Sequence, residues 1–362
     1  MTALKRRIVD LIEALGPIPV SEYMALCLYD PRHGYYSTRD PFGPGGDFVT
    51  APEISQMFGE LVGIWIADVW REARCPLPAT VAEIGPGRGT LMRDMVRTLA
   101  RIAPGLRAQA DLRLVEVSDR LRLVQAKTLE GSGGPFEWHG NVDDMINQPL
   151  FIVGNEIFDA LPVRQYVKTA QGWRERVVTL AGDDVLAFGA GAGSLEPSLL
   201  PSGAPDAPDG AVFEVSPVRS ALMTRIAARI ARDGGAGLFF DYGHLASGLG
   251  DTLQALRRHR PDDPLAHPGE SDLTSHVDFD ALADAAHAEG LNVHIATQGD
   301  FLLAMGLLER AGSLGAERSE AERNQLRIDV ERLAGSDQMG SLFKVLAVAS
   351  PGLALPGFAT AN

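Results

Sequence analysis

The chain has 362 residues, 45% apolar and 22% charged, which is ordinary for a soluble globular protein and enough for one large core with additions or two modest domains. Its 47 acidic residues outweigh 33 basic ones; the formal charge of −14 argues against a general nucleic-acid-binding surface and either suits a cationic protein or peptide partner or keeps the surface solvated. No apolar run is long and uncharged enough to insert in a membrane, and two cysteines, Cys27 and Cys75, make neither a disulfide framework nor a metal site, so both are expected in the core of a cytoplasmic protein.

Residues 1–78 read as mostly helical. Ile8, Leu11, Ile12 and Leu15 fit one face of an amphipathic helix rather than a signal sequence. Gly16 and Pro17 end it, and 20–28 predicts a second helix capped by Ser21. The stretch 29–47, rich in Gly, Pro and Tyr, is expected to be irregular, and 56–71 is a strongly apolar helix. The loop between them, which carries Asp47 and Thr50, is either a surface loop pinned by its aromatics or a cover over a ligand.

The densest signal is T-V-A-E-I-G-P-G-R-G-T-L at 80–91: a short apolar run, the glycines Gly85, Gly87 and Gly89, then a helical pattern over 91–99. A dinucleotide fingerprint would need glycine where Thr90 stands, and a phosphate loop would end in G-K-[ST], whereas Gly89 is followed by Thr90 and Leu91. Pro86 removes an anion-binding N–H, and Glu83 repels phosphate and favours an ammonium or other cation. The alternative is a plain tight strand-to-helix turn. A second strand, 112–117, closes on Glu116, whose carboxylate is placed to accept both hydroxyls of a ribose. After a helix over 121–129 and a strand over 136–139, Asn141 and Val142 could meet an adenine edge and face. The apolar strand 149–153 opens onto Asn155, Glu156 and Asp159, the best catalytic or substrate-positioning candidates; for Asp159 a loop-capping role is the alternative.

From 163 to 215 the βα rhythm gives way to short strands over 165–169, 174–180 and 185–189, with 189–210 expected as a flexible loop. The core resumes with a helix over 217–233 and a strand over 237–241 that runs into Tyr242 and His244. An excursion over 251–280 holds a short basic cluster at 257–260 and His276, a general base or an ordinary polar contact. Helices over 280–289, 300–311 and 319–334, a strand over 291–297 and a last, antiparallel strand over 342–349 complete an α/β fold with a seven-stranded, Rossmann-like sheet. The expected division is an N-terminal helical segment (1–78), two core parts (79–162 and 216–362) and a β-rich insertion (163–215).

The E-x-G-x-G-x-G order at 83–89 resembles motif I of class I S-adenosylmethionine-dependent methyltransferases. With G-D-F-V-T-A-P-E-I-S-Q at 46–56, N-E-I-F-D-A-L-P-V at 155–163, F-E-V-S-P at 213–217, D-Y-G at 241–243 and D-L-T-S-H-V-D-F at 272–279, nearly the whole chain resembles the MidA-like family of these enzymes. The resemblance implies the class I fold and S-adenosylmethionine as cofactor. Asp47, Thr50, Glu83, Gly85, Gly87, Gly89, Glu116, Asn141, Val142 and Asn155 would bind it, with 47–53 as a lid. It further implies catalysis by Glu156 and Asp159 on a guanidinium, with Phe158, Tyr242 and His276 contacting the substrate. Mitochondrial members of the family are protein arginine methyltransferases acting in respiratory complex I assembly, which implies a protein substrate, a complex I subunit among the candidates. The spaced glutamate pair that clamps arginine in better-known arginine methyltransferases is not recognisable, so a small-molecule acceptor and a catalytically silent, cofactor-binding assembly factor remain alternative readings.

Overall fold

The apolar runs that alternate with helical stretches in the sequence pair as strands of one sheet. In the computed structural model, which describes residues 2–38 and 50–358, the chain divides into two units. The core unit comprises Val49–Ile157, Leu222–Leu245 and Phe279–Asn362; the other comprises Met1–Phe48, Phe158–Ala221 and Ala246–Asp278. This differs from the expected linear division, because the helix Gln56–Glu72 falls with the core rather than with the N-terminal segment.

The core strands are β1 (Ala79–Ile84), β2 (Ala110–Val115), β3 (Phe136–His139), β4 (Leu150–Asn155), β5 (Gly235–His244), β6 (Asn292–Thr297) and β7 (Phe343–Ala349). Their path is β6-β7-β5-β4-β1-β2-β3. β4, β1, β2 and β3 run parallel, as do β5 and β4, while β7 inserts antiparallel between β5 and β6. The chain leaves β1 in one direction and returns to β4 on its other side, so the strand order reverses between β1 and β4; ligands of open α/β sheets bind at such a switch point. The central strands β1 and β4 are buried at every position, which explains their continuous apolar runs.

Helix α1 (Gln56–Glu72) is capped by Ser55 and packs closely on α2 (Thr90–Ile102): a Cβ on Gly59 would stand 2.7 Å from Asp94 Cβ, and one on Gly63 3.1 Å from Thr98 Cβ. Phe58, Trp65, Phe240 and Phe301 fill the core beside this pair. Helix α3 (Asp119–Thr128) follows β2 and is capped by Ser118. The helix expected over 300–311 is two helices, Gln298–Ala304 and Leu307–Gly315, because Gly306 takes a left-handed φ of 89° between them.

In the second unit, helix Ala3–Leu15 buries Leu4, Ile8, Val9 and Ile12, leaving Leu15 exposed. Helix Val20–Tyr29 starts from Pro19, whose φ of −56° is already helical, and not from a Ser21 cap. A short helix, Tyr35–Thr38, occupies part of the stretch expected to be irregular. The insertion is an antiparallel sheet of Arg164–Thr169, Gly172–Leu180, Leu186–Ser194 and Val212–Val215. Its third strand continues through Gly189–Ser194, where a flexible loop was expected. Small residues suit that edge, because a Cβ on Gly191 would lie 2.7 Å from Val177 Cγ1. The basic cluster is the tip of a hairpin between Gln254–Arg257 and Arg260–Asp262, with Arg258 and His259 both left-handed as a two-residue turn requires. Among the described residues no helix is long and apolar enough to cross a membrane.

Candidate active site

The turn after β1 alternates left-handed glycines: φ is 63° at Gly85, 52° at Gly87 and 84° at Gly89. At Gly85 the left-handed φ calls for glycine whatever the space, and a Cβ would in addition stand 2.8 Å from the far end of the Ile157 side chain, Cδ1. Thr90, at the start of α2, donates its hydroxyl to the Glu53 carboxylate, and Arg88 lies 3.5 Å from the other oxygen. Thr50 stands just before the short helix Ala51–Ile54 that carries Glu53, so this stretch is fastened to the glycine turn; Asp47 lies outside the described residues. Glu83 is not the surface cation trap the sequence suggests. Its carboxyl is buried, burial pushes its pKa well above the ordinary range, and a bond from the Met92 N–H at the start of α2 offsets this only in part. It anchors the helix start, with Oε2 lacking a hydrogen-bond partner among the described residues.

Glu116 directly follows β2, where its N–H bonds to the His139 carbonyl at 2.9 Å. Its carboxylate accepts from the Ser118 N–H at 2.8 Å and from the Gln125 amide at 3.0 Å, and burial raises its pKa against the opposing effect of these bonds. Asn141 caps the turn Val142–Asp144, its Oδ1 accepting from the Asp143 N–H and the Arg225 guanidinium. Val142 is buried and has no open face for an adenine, contrary to the sequence expectation. The exposed apolar side chain at that edge is Val117, 72% exposed beside Glu116, which sequence reading passed over because it treated Val117 as the end of a buried strand.

β1 and β4 pair with Ile84 opposite Gly154, so the glycine turn and Asn155-Glu156 leave the sheet side by side at the switch point. Gly154 is required by packing: a Cβ would meet Ile84 Cγ2 at 3.0 Å and Phe239 Cδ1 at 3.1 Å. Glu156 is left-handed, with φ 53°, and is held there by its N–H bond to the Phe240 carbonyl at 2.8 Å. A glutamate in this conformation is strained, and such strain concentrates at functional sites. Asn155 donates to Glu156 Oε1 at 2.9 Å, while its own buried Oδ1 has no partner among the described residues. Tyr242, on β5, pairs with Phe343 of β7, with the rings 5.5 Å apart.

Phe158, Asp159 and His276 belong to the second unit. Phe158 is completely buried, so it has no surface to offer a substrate, contrary to expectation. Asp159 accepts the Ala160 N–H at 2.8 Å, a local capping contact. Arg219, unflagged by the sequence, organises this region. Its buried guanidinium donates to the carbonyls of Asp159 (2.9 Å), Leu161 (3.2 Å), Ser275 (3.3 Å) and His276 (2.7 Å) and to Ser275 Oγ (2.7 Å). The His276 N–H is held by Thr252 Oγ1 at 2.9 Å. Nearby, Tyr29 stacks on Tyr36 at 5.9 Å and donates to the Ala160 carbonyl, and the Tyr36 hydroxyl reaches Asp272 at 3.0 Å.

The donor and acceptor pattern of the core unit fits S-adenosylmethionine. The buried Asn155 Oδ1 at the end of β4, without a partner among the described residues, matches an ammonium donor, the glycine turn gives backbone access, and Glu116 keeps acceptor capacity for a ribose hydroxyl. A sheet whose last strand inserts antiparallel, with a lysine-free glycine turn at its switch point and a buried acid after the neighbouring strand, defines the class I S-adenosylmethionine-dependent methyltransferases. Comparison with known proteins leads to the same class. Residues 61–297 match the sequence model of a family of S-adenosyl-L-methionine-dependent methyltransferases. The mitochondrial protein arginine methyltransferase NDUFAF7 homolog of Drosophila melanogaster is 36% identical across 96% of this chain and 84% of its own length; the human NDUFAF7 is 35% identical across 96% and 83%. The crystal structure of a protein from Burkholderia thailandensis bound to S-adenosyl-homocysteine matches with a TM-score of 0.82 and 30% identity, covering 99% of this chain and 93% of that one. The chain belongs to this S-adenosyl-L-methionine-dependent methyltransferase family.

Proposed function

We propose that this methyltransferase modifies a guanidinium nitrogen of a protein arginine. The observation that carries the reading is Glu156, a carboxylate on a strained backbone at the end of β4, beside the glycine turn and next to Asn155 Oδ1, which has no partner among the described residues. S-adenosylmethionine, when bound, supplies a methyl group on a positively charged sulfur, already activated for transfer to a nucleophile. The chain's own part is positioning: the glycine turn admits the methionine end, Asn155 Oδ1 accepts from the ammonium, and Glu116 accepts from the ribose hydroxyls. Glu156 offers a carboxylate whose two oxygens match the fork of a guanidinium and can take up the proton released on methylation. The names of the NDUFAF7 relatives support arginine as the target class, and the family resemblance extends the proposal to an arginine on a respiratory complex I subunit.

The test is incubation of the enzyme with radiolabelled S-adenosylmethionine and a cell lysate, followed by mass spectrometry of labelled proteins. Methylarginine in protein is expected, with Glu156→Gln reducing incorporation by about 100-fold or more. Label confined to small metabolites, or to residues other than arginine, would overturn the reading. Asp159→Ala is the companion variant, and retained turnover there assigns Asp159 to capping its own loop.

A further inference from the structure

We infer that Gln125 is a positioning residue for cofactor binding, tying the glycine turn to the Glu116 carboxylate so that the ribose acceptor and the methionine-binding turn are held in register. The inference rests on the reading that Glu116 binds the ribose. Gln125 is completely buried in α3, a helix whose other buried side chain is Leu121. An amide on an otherwise apolar inner face must find partners or destabilise the fold, and Gln125 finds three. Its Nε2 donates one hydrogen to the Gly87 carbonyl at 2.9 Å and the other to Glu116 Oε2 at 3.0 Å, and its Oε1 accepts from Trp138 Nε1 at 2.8 Å. The indole can only donate, so Oε1 must face Trp138 and the two hydrogens must face the turn and the acid; the amide has one possible orientation.

Each of these bonds has a consequence for the ligand. The bond to Gly87 holds the middle carbonyl of the left-handed turn. The bond to Glu116, with those from the Ser118 and Val117 N–H groups, fixes the carboxylate in one orientation. A carboxylate has about four lone-pair sites, so three protein donors leave room for a ribose hydroxyl. Helix α3 also fixes the backbone of the same residue, since Arg122 Nε and Nη2 donate to the Glu116 carbonyl at 2.8 and 2.6 Å. Gly89 lies against the same helix, where a Cβ would stand 3.4 Å from Gln125 Cα, an ordinary contact, so its left-handed φ of 84° and not crowding calls for glycine there. A glutamate at 125 would set a second carboxylate against the first.

The experiment is calorimetric titration of wild type and Gln125→Met with S-adenosylhomocysteine and with its 2′,3′-dideoxyribose analogue, with thermal unfolding of each unliganded protein recorded alongside. Wild type is expected to favour the hydroxylated ligand by about tenfold or more, the worth of a hydrogen bond to a carboxylate. Gln125→Met is expected to lose about tenfold for S-adenosylhomocysteine and less than about threefold for the dideoxy analogue. Equal losses for the two ligands would mean that Gln125 only supports the fold and would overturn the inference, as would no loss at all. A wild type that fails to discriminate between the ligands would instead sink the ribose reading of Glu116. Should Gln125→Met not fold, Gln125→Asn, which keeps the amide but withdraws it from Gly87 and Glu116, is judged by the same ratio.

Discussion

Replacing Glu156 by alanine and, separately, by glycine divides the residue's chemistry from its backbone. Both substitutions remove the carboxylate and the 2.9 Å bond from Asn155, so these losses cancel between the variants. What differs is the accommodation of a φ of 53°. A left-handed conformation costs a residue with a Cβ about 1–2 kcal/mol, and glycine escapes that cost. Glycine also gains freedom in the unfolded chain, which returns about 0.4–1 kcal/mol of the advantage. The glycine variant should therefore be more stable than the alanine variant by about 0.8 kcal/mol, or about 1 °C in melting temperature for a chain of this length. Paired thermal and urea denaturation measures this difference, and radiolabel transfer measures activity, which both variants should lack. A glycine variant no more stable than the alanine variant would show that the backbone at 156 is unstrained. Methyl transfer by either would show that the strain does not serve a catalytic carboxylate.

Three further outcomes follow from the packing. Arg219→Met should destabilise the unit containing it by about 3 kcal/mol or more, since buried carbonyls at Asp159 and Ser275 lose the guanidinium; Arg219→Lys should recover only part of this, because an ammonium has three donors, and full recovery in urea denaturation would contradict the clamp. Iodoacetamide should label the folded chain once, at exposed Cys75, because burial pushes the Cys27 thiol to about 12; two labels before denaturation, read by mass spectrometry, would refute this. Gly85→Ala should cost about 1–2 kcal/mol for its φ of 63°, the contact with the mobile end of Ile157 adding little, and should weaken S-adenosylhomocysteine binding in calorimetry; unchanged, tight binding would count against the turn as the cofactor site.

The sequence made the sheet legible because β1 and β4 are buried on both faces and so write themselves as unbroken apolar runs, and because three alternating glycines have few explanations other than close backbone approach. Glu116 and Glu156 were legible as polar residues at the ends of such runs. Gln125 was not, since a glutamine in a helix looks solvent-facing unless its partners are known, and those partners come from Gly87, Glu116 and Trp138. Arg219 was hidden for the same reason: its acceptors are backbone carbonyls 56 to 60 residues away, and a carbonyl carries no residue-type signal. The exposure of Cys75 and Val117 and the burial of Phe158 depend on how neighbouring segments fold over them, which periodicity over a few residues does not encode.

Glu83 shows how burial reverses an inference drawn from charge. As a sequence letter beside a glycine turn it is an anion waiting for an ammonium; in the structure it is a buried carboxyl that receives the Met92 N–H and favours its neutral form. Two consequences separate these roles in the variant Glu83→Gln. A carboxyl whose folded pKa is raised holds its proton more firmly in the native state, so the stability it contributes is complete below its ordinary value of 4.5 and is lost as pH rises toward the higher folded value. Glutamine does not titrate, so the urea midpoint of wild type should fall relative to that of Glu83→Gln as pH rises above 4.5. Over the same range the variant should keep its affinity for S-adenosylhomocysteine to within about threefold, because the amide oxygen can still accept from Met92 and hold the start of α2. A flat difference in midpoints would mean that the carboxyl is not raised, and a loss of affinity of about tenfold or more would return Glu83 to the role of charged partner for the ammonium. If both expectations hold, recognition of the cofactor's amino group falls to neutral acceptors such as Asn155 Oδ1, and the acid of the glycine motif serves the helix that begins behind it.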